Sequence, residues 1–111
     1  MDAELTKSFA FSASYRSGAR SVGANYILSV SLPALDGAAE KEFEGAVQDS
    51  LISKLHARDL SENVDFLRGA EMTDAGLLRA FWAVLAGPLA HHRVRRLALQ
   101  RDARTVTILY L

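Results

Sequence analysis

The 111-residue sequence contains no cysteine, two prolines and one tryptophan, and its thirteen basic side chains are balanced by thirteen acidic ones. Without cysteine there is no disulfide framework, no thiolate-bound zinc or iron–sulfur cluster, and no thiol nucleophile. A formal net charge of zero argues against nucleic-acid binding through a broad electrostatic footprint. No run approaches the ~18 consecutive apolar residues that a membrane-crossing helix needs. The opening Met1-Asp2-Ala3-Glu4-Leu5-Thr6-Lys7 is charged and lacks the apolar stretch of a signal peptide. The expectation is a soluble cytoplasmic protein with no membrane or nucleic-acid partner. What is present is ordinary for a folded chain: 50% hydrophobic and 23% charged residues. This length suits one core, a single domain over residues 1–111, burying roughly 60–70% of the unfolded surface without staples.

Hydrophobic periodicity divides the chain. Phe9, Phe11, Ala13 and Tyr15 alternate with Ser8, Ala10, Ser12 and Ser14, the pattern of a strand with one apolar and one small, polar face. The period of two returns from Asn25 to Leu32 after the turn-rich Ser17-Gly18-Ala19-Arg20-Ser21, which predicts an antiparallel hairpin. Pro33 then ends the ladder because it has no N–H to donate. Phe43, Val47, Leu51 and Leu55 recur every four residues, as on an amphipathic helix entered near Asp36 and ending at His56 or Ala57. Residues 58–71 read as a loop with a short turn, anchored by Leu60, Val64, Phe66 and Leu67. Thr73 suits an N-cap, with Asp74 at the positive end of the helix dipole. Leu77, Leu78, Phe81, Trp82, Val84 and Leu85 form the stripe of a second helix, ended by Gly87-Pro88. Two more strands fit 94–101 and 105–111 around the turn Asp102-Ala103-Arg104. The expected fold is α+β in the order β-β-α-α-β-β: a four-stranded antiparallel sheet with two helices on one face.

Two features exceed what such a two-layer domain needs. Charge is segregated: Asp36–Asp74 holds ten acidic and four basic residues, whereas His91–Arg104 holds five arginines and one aspartate. Contacts between elements, or between subunits, would account for this. The last strand also carries Val106, Ile108 and Tyr110 on one face and Leu109 and Leu111 on the other. It has no proline or charge to protect its edge, so a homo-oligomer formed by strand-edge pairing is expected.

The element order, the string Phe11-Ser12-Ala13-Ser14-Tyr15-Arg16 and the later Gly23-X-Asn25-Tyr26 resemble the 6-pyruvoyltetrahydropterin synthase family, which includes 6-carboxytetrahydropterin synthase. Family members read Phe-Ser-Ala-Ser-His in the first strand and His-Gly-His-Asn-Tyr at the start of the second. The resemblance runs from Lys7 to Leu111 and implies the tunnelling fold, or T-fold, in which β2α2β2 subunits join edge to edge into barrels. It also implies a zinc held by three histidines, whose positions here read Tyr15, Val22 and Ala24. Valine and alanine offer no lone pair, so no zinc cofactor is expected. The family's catalytic cysteine would fall near Gly18. Its aspartate and histidine would fall near His56 and Ala57, and the glutamate opening the second helix near Ala75. The glutamate that grips the pterin falls on Gln100, which can hydrogen-bond without a charge-assisted pair.

The site candidates are therefore thin. His56 and Asp59 form a weak catalytic pair, with a helix-capping histidine as the plainer reading. Gln100, Thr73, Tyr15 and Asn25 are candidate ligand contacts. Adjacent His91 and His92 diverge on any regular backbone and do not suggest a shared metal. The leading expectation is an oligomeric binding or scaffold protein of this type without zinc-dependent lyase activity. The rival is a metal-independent enzyme acting on a pterin- or purine-like ring between subunits.

Overall fold

The computed structural model describes residues 3–111. Strands β1 (Glu4–Ser17) and β2 (Arg20–Pro33) form one hairpin with Ser17 opposite Arg20 and Glu4 opposite Pro33. Both strands run longer than the sequence pattern alone suggests. The two-residue turn Gly18-Ala19 works because Gly18 takes φ +64°, which matches the right-handed twist of the flanking strands. The register places Phe9 against Leu28 and Phe11 against Tyr26. The latter rings stack with centroids 5.1 Å apart.

Helix α1 (Gly37–Val47) is capped by Asp36, whose side chain accepts from the Ala39 N–H. A π-helical turn (Gln48–Ile52) follows, then α2 (Ser53–Leu55), where the sequence suggests one uninterrupted helix. The apolar spacing accounts for the π turn. A strict repeat of four drifts by about 40° per step on an α-helix, and one extra residue in a π turn rewinds that drift. Phe43, Val47, Leu51 and Leu55 are accordingly all fully buried.

Strand β3 (Arg58–Asp59) pairs parallel with Ala13 and Ser14 of β1. The sheet is therefore five-stranded and mixed, in the order β3-β1-β2-β4-β5, with β4 at Arg96–Gln100 and β5 at Val106–Tyr110. This corrects the expectation of four antiparallel strands. A two-residue strand has no periodicity to read, and tertiary hydrogen bonds alone hold this one. The segment Asp65–Leu67 forms a 3-10 turn, and α3 (Asp74–Leu85) begins at the Thr73 cap, whose hydroxyl accepts from the Gly76 N–H.

Both helical layers lie on one face of the sheet. Phe9, Phe11, Leu28, Val30, Leu97 and Leu99 meet Phe43, Leu51, Leu55, Leu78, Phe81 and Leu85 in one buried cluster. On the inner face of β1, Lys7 pairs with Glu40 and Glu44 of α1, and Leu5 beyond it packs against the core. The opposite face carries small hydroxyls in register: Thr6 bonds Ser31, and Ser8 bonds Ser29. Leu109 packs against the core, while Ile27, Val106, Ile108, Tyr110 and Leu111 remain exposed. The acidic and basic segments meet within the chain, through Arg101 with Asp74 and His91 with Glu42. No helix among the described residues is long and apolar enough to cross a membrane.

Gly76 is demanded by packing. A Cβ there would lie 2.2 Å from the Glu71 carbonyl oxygen, a backbone atom with little freedom to retreat. Gly76→Ala is expected to lower stability by about 1–3 kcal/mol in urea titration. Gly45→Ala, exposed on α1 with no neighbour within 4 Å of its added Cβ, should instead gain about 0.5–1 kcal/mol.

Candidate functional site

The β1–β2 hairpin overhangs the rest of the sheet, because β4 pairs with β2 only from Ile27 to Ser31. Chain segment 56–63 clamps the exposed edge of this overhang. The Ser12 N–H donates to His56 Nδ1 at 3.1 Å, and Ser12 O accepts from the Ala57 N–H at 2.6 Å. Ser14 O accepts from Leu60, and the Arg16 N–H donates to Ser61 Oγ. To follow this path Ala57 adopts φ +60°, a left-handed conformation that costs about 1–2 kcal/mol in a residue with a Cβ. The clamp's hydrogen bonds offset that strain.

An open cleft of about 1030 Å³ lies at this end of the molecule. Tyr15, Val22, Ala24 and Asn25 of the hairpin line it, together with Arg58, Asp59 and Asn63 of the clamp and Arg101 and Asp102 of the β4–β5 turn. Tyr15 stands opposite Val22, and Ala24 follows on the same face. The three positions at which the resemblance implies histidines are thus gathered at one point, beside Arg101. The Arg101 guanidinium donates to Tyr15 Oη at 3.3 Å and pairs with Asp74 Oδ2 at 3.4 Å. The other Asp74 oxygen, Oδ1, is buried without a hydrogen-bond partner.

The sequence candidates separate into those that reach the cleft and those engaged elsewhere. Tyr15, Asn25 and Asp59 line it. His56 takes the C-cap position of α2, and its imidazole also serves as a stand-in acceptor on the β1 edge. Asp59 stabilises its own turn, accepting from the Ser61 N–H at 2.8 Å and from Ser14 Oγ at 3.4 Å. Thr73 is occupied as the α3 cap. Gln100 lies on the face away from the helices, aligned with Ile27 and Val106, and donates to Asp102 O. Arg58, Asn63 and Arg101 were not legible as site residues. Arg101 is 86 positions from Tyr15, and its only sequence signal is membership of the basic segment.

No family model matches the sequence, and no curated protein matches it. The fold does have a counterpart: the structure of Caenorhabditis elegans 6-pyruvoyl tetrahydropterin synthase is similar with a TM-score of 0.77. The match covers 100% of this chain and 96% of that one, at 12% sequence identity. The likeness is one of fold. At the gathered positions Tyr15 is the one side chain of the three with a lone pair, and a guanidinium already engages its oxygen. A second cation cannot be accommodated there without displacing Arg101, so these residues do not fit zinc. Among the described residues, no group of three or more His, Asp or Glu could hold a metal.

Tyr26, two residues beyond Ala24 on the same face of β2, is buried in the core. Burial pushes its phenol up to about 12, the Tyr15 hydroxyl and Asp74 add to the shift, and Arg101 opposes it. The folded state therefore holds Tyr26 neutral in a range where the unfolded chain, with an ordinary value near 10, releases the proton. The contribution to stability is complete below pH 10 and is lost as the pH rises toward 12. Chemical denaturation across this window should show stability falling, with a flatter profile for Tyr26→Phe.

Proposed function

We propose that this chain is a ring-forming T-fold subunit that binds a small ligand in the hairpin cleft and lacks zinc-dependent lyase activity. The observation that carries the assembly is a pair of unpaired sheet edges. The Leu111 N–H donates to Arg95 O, so alternation directs Thr107 and Leu109 toward β4 and turns the main chain of Val106, Ile108 and Tyr110 outward. On β1, Ser12 and Ser14 direct their main chain toward the clamp, and the same phase turns Thr6, Ser8 and Ala10 outward. Among the described residues, β3 pairs with β1 only at Ala13 and Ser14, which leaves that edge open.

Pairing the β5 edge of one subunit with the β1 edge of the next satisfies both rows of backbone groups and covers an edge prone to aggregation. Such a head-to-tail contact closes into a ring when its rotation divides the circle. Closure would also turn the exposed Ile27, Val106, Ile108 and Tyr110 side chains away from bulk water. The loss of lyase chemistry is supported by the Tyr15, Val22 and Ala24 set, which offers no Lewis acid site for a reaction that needs one.

Light scattering at micromolar concentration is expected to give a discrete multiple of the 12.1 kDa chain. Ile108→Pro removes an outward donor without touching the β4 ladder and should yield monomer with retained circular dichroism. Val106→Pro, at the first residue of β5, serves as a second variant. A wild-type protein that stays at 12.1 kDa at every concentration contradicts the assembly. Purified, tag-free protein should carry no stoichiometric zinc and should leave dihydroneopterin triphosphate unconverted. Turnover of roughly 1 per second or more contradicts the loss of lyase activity.

A further inference from the structure

The hydrogen-bonding capacity of the cleft is unbalanced in favour of donors. Both Asp59 oxygens are engaged by Ser61 and Ser14, and Asp102 Oδ1 takes the Arg104 and Thr105 N–H groups at 2.8 and 2.9 Å. Asp59 is thereby engaged through both oxygens and Asp102 through one of its two. Asn25, on the opposite face of the hairpin from Tyr15, accepts from Ser12 Oγ at 2.6 Å, so the donors on the Tyr15 side are the guanidinium groups. Arg101 is held from two sides by Tyr15 and Asp74, with its side chain 37% exposed. That is a guanidinium fixed in orientation yet open to the cleft, with most of its N–H donors unused. Arg58 supplies a second guanidinium from the clamp.

We propose that this cleft recognises the oxyanion of a small ligand, a carboxylate or a phosphate, with Arg101 as its fixed donor and Arg58 as its second. Guanidinium forks match both groups in geometry and give charge-assisted hydrogen bonds. Arg101 is pre-oriented by its two partners, so less side-chain freedom is lost on binding than at an untethered arginine. In this arrangement the positive charge at the gathered positions belongs to a side chain. The inference rests on the binding role proposed above and is independent of how the subunits assemble.

Calorimetric titration and thermal unfolding with sodium pyrophosphate and sodium malonate at low ionic strength test it. Saturable binding of at least one probe, with a rise in Tm, is expected. Arg58→Gln, an exposed substitution, should weaken that binding about tenfold, and Arg101→Gln should weaken it further. Arg93→Gln, at a separate surface depression beside Leu111, should bind like the wild type. Saturation by pyrophosphate alone assigns a phosphate, and saturation by malonate alone assigns a carboxylate. Absence of saturation by both probes overturns the proposal. So does wild-type binding by both cleft variants, or an equal loss in Arg93→Gln. Light scattering on the same samples separates a loss of binding from a loss of assembly. Arg58→Gln keeps the test decisive if Arg101→Gln fails to fold.

Discussion

The register of the β1–β2 ladder is the constraint on which the other features depend. It runs without a break from Glu4 opposite Pro33 to Ser17 opposite Arg20, and a one-residue slip would exchange its two faces. That would carry Phe9, Phe11 and Tyr26 into water and bring Ser8, Ser12 and Asn25 into the core. The two-residue turn at Gly18 and the stacked Phe11–Tyr26 pair therefore act together to hold one phase. The same phase sets Tyr15, Val22 and Ala24 side by side. The ladder's length, beyond the reach of β4, produces the overhang in which the cleft forms.

An overhanging strand edge is a liability unless something satisfies it. Here segment 56–63 does so with a mixture of backbone and side-chain groups. His56 substitutes an imidazole nitrogen for a carbonyl oxygen, and Ser61 substitutes a hydroxyl. The left-handed Ala57 aims this segment back along β1 and brings Arg58 into the cleft wall. Edge protection and cleft formation are consequences of one chain path.

The electrostatics follow from what the hairpin leaves empty. Small Val22 and Ala24 leave room beside Tyr15, and Arg101 reaches toward its hydroxyl from the β4–β5 turn. Its pairing with Asp74 joins that turn to the start of α3. The charge facing the cleft comes from the guanidinium groups of Arg58 and Arg101 and the carboxylates of Asp59 and Asp102. The fold is similar to that of a pterin synthase at 12% identity, and the cleft within it is lined in this chain by Tyr15, Val22, Ala24, Arg58 and Arg101.

Local periodicity determined the elements whose burial repeats along the chain. The alternating apolar residues of both long strands, the repeat of four from Phe43 to Leu55 and the stripe from Leu77 to Leu85 each imply one buried face. Thr73 was legible as a cap, because its hydroxyl bonds only three residues away. Tyr15 and Asn25 were legible through their place in the hairpin motif. Tertiary structure alone decided β3, whose two residues are held by bonds from the clamp to Ser12 and Ser14. It alone determined that Leu109 faces the core while Ile108 faces outward, since both faces of the last strand are apolar in sequence. It also placed Arg101 against Tyr15 and Asp74, a meeting of residues remote in the chain. Periodicity records which face of an element is buried, whereas a polar site records which elements meet, and that is a property of packing.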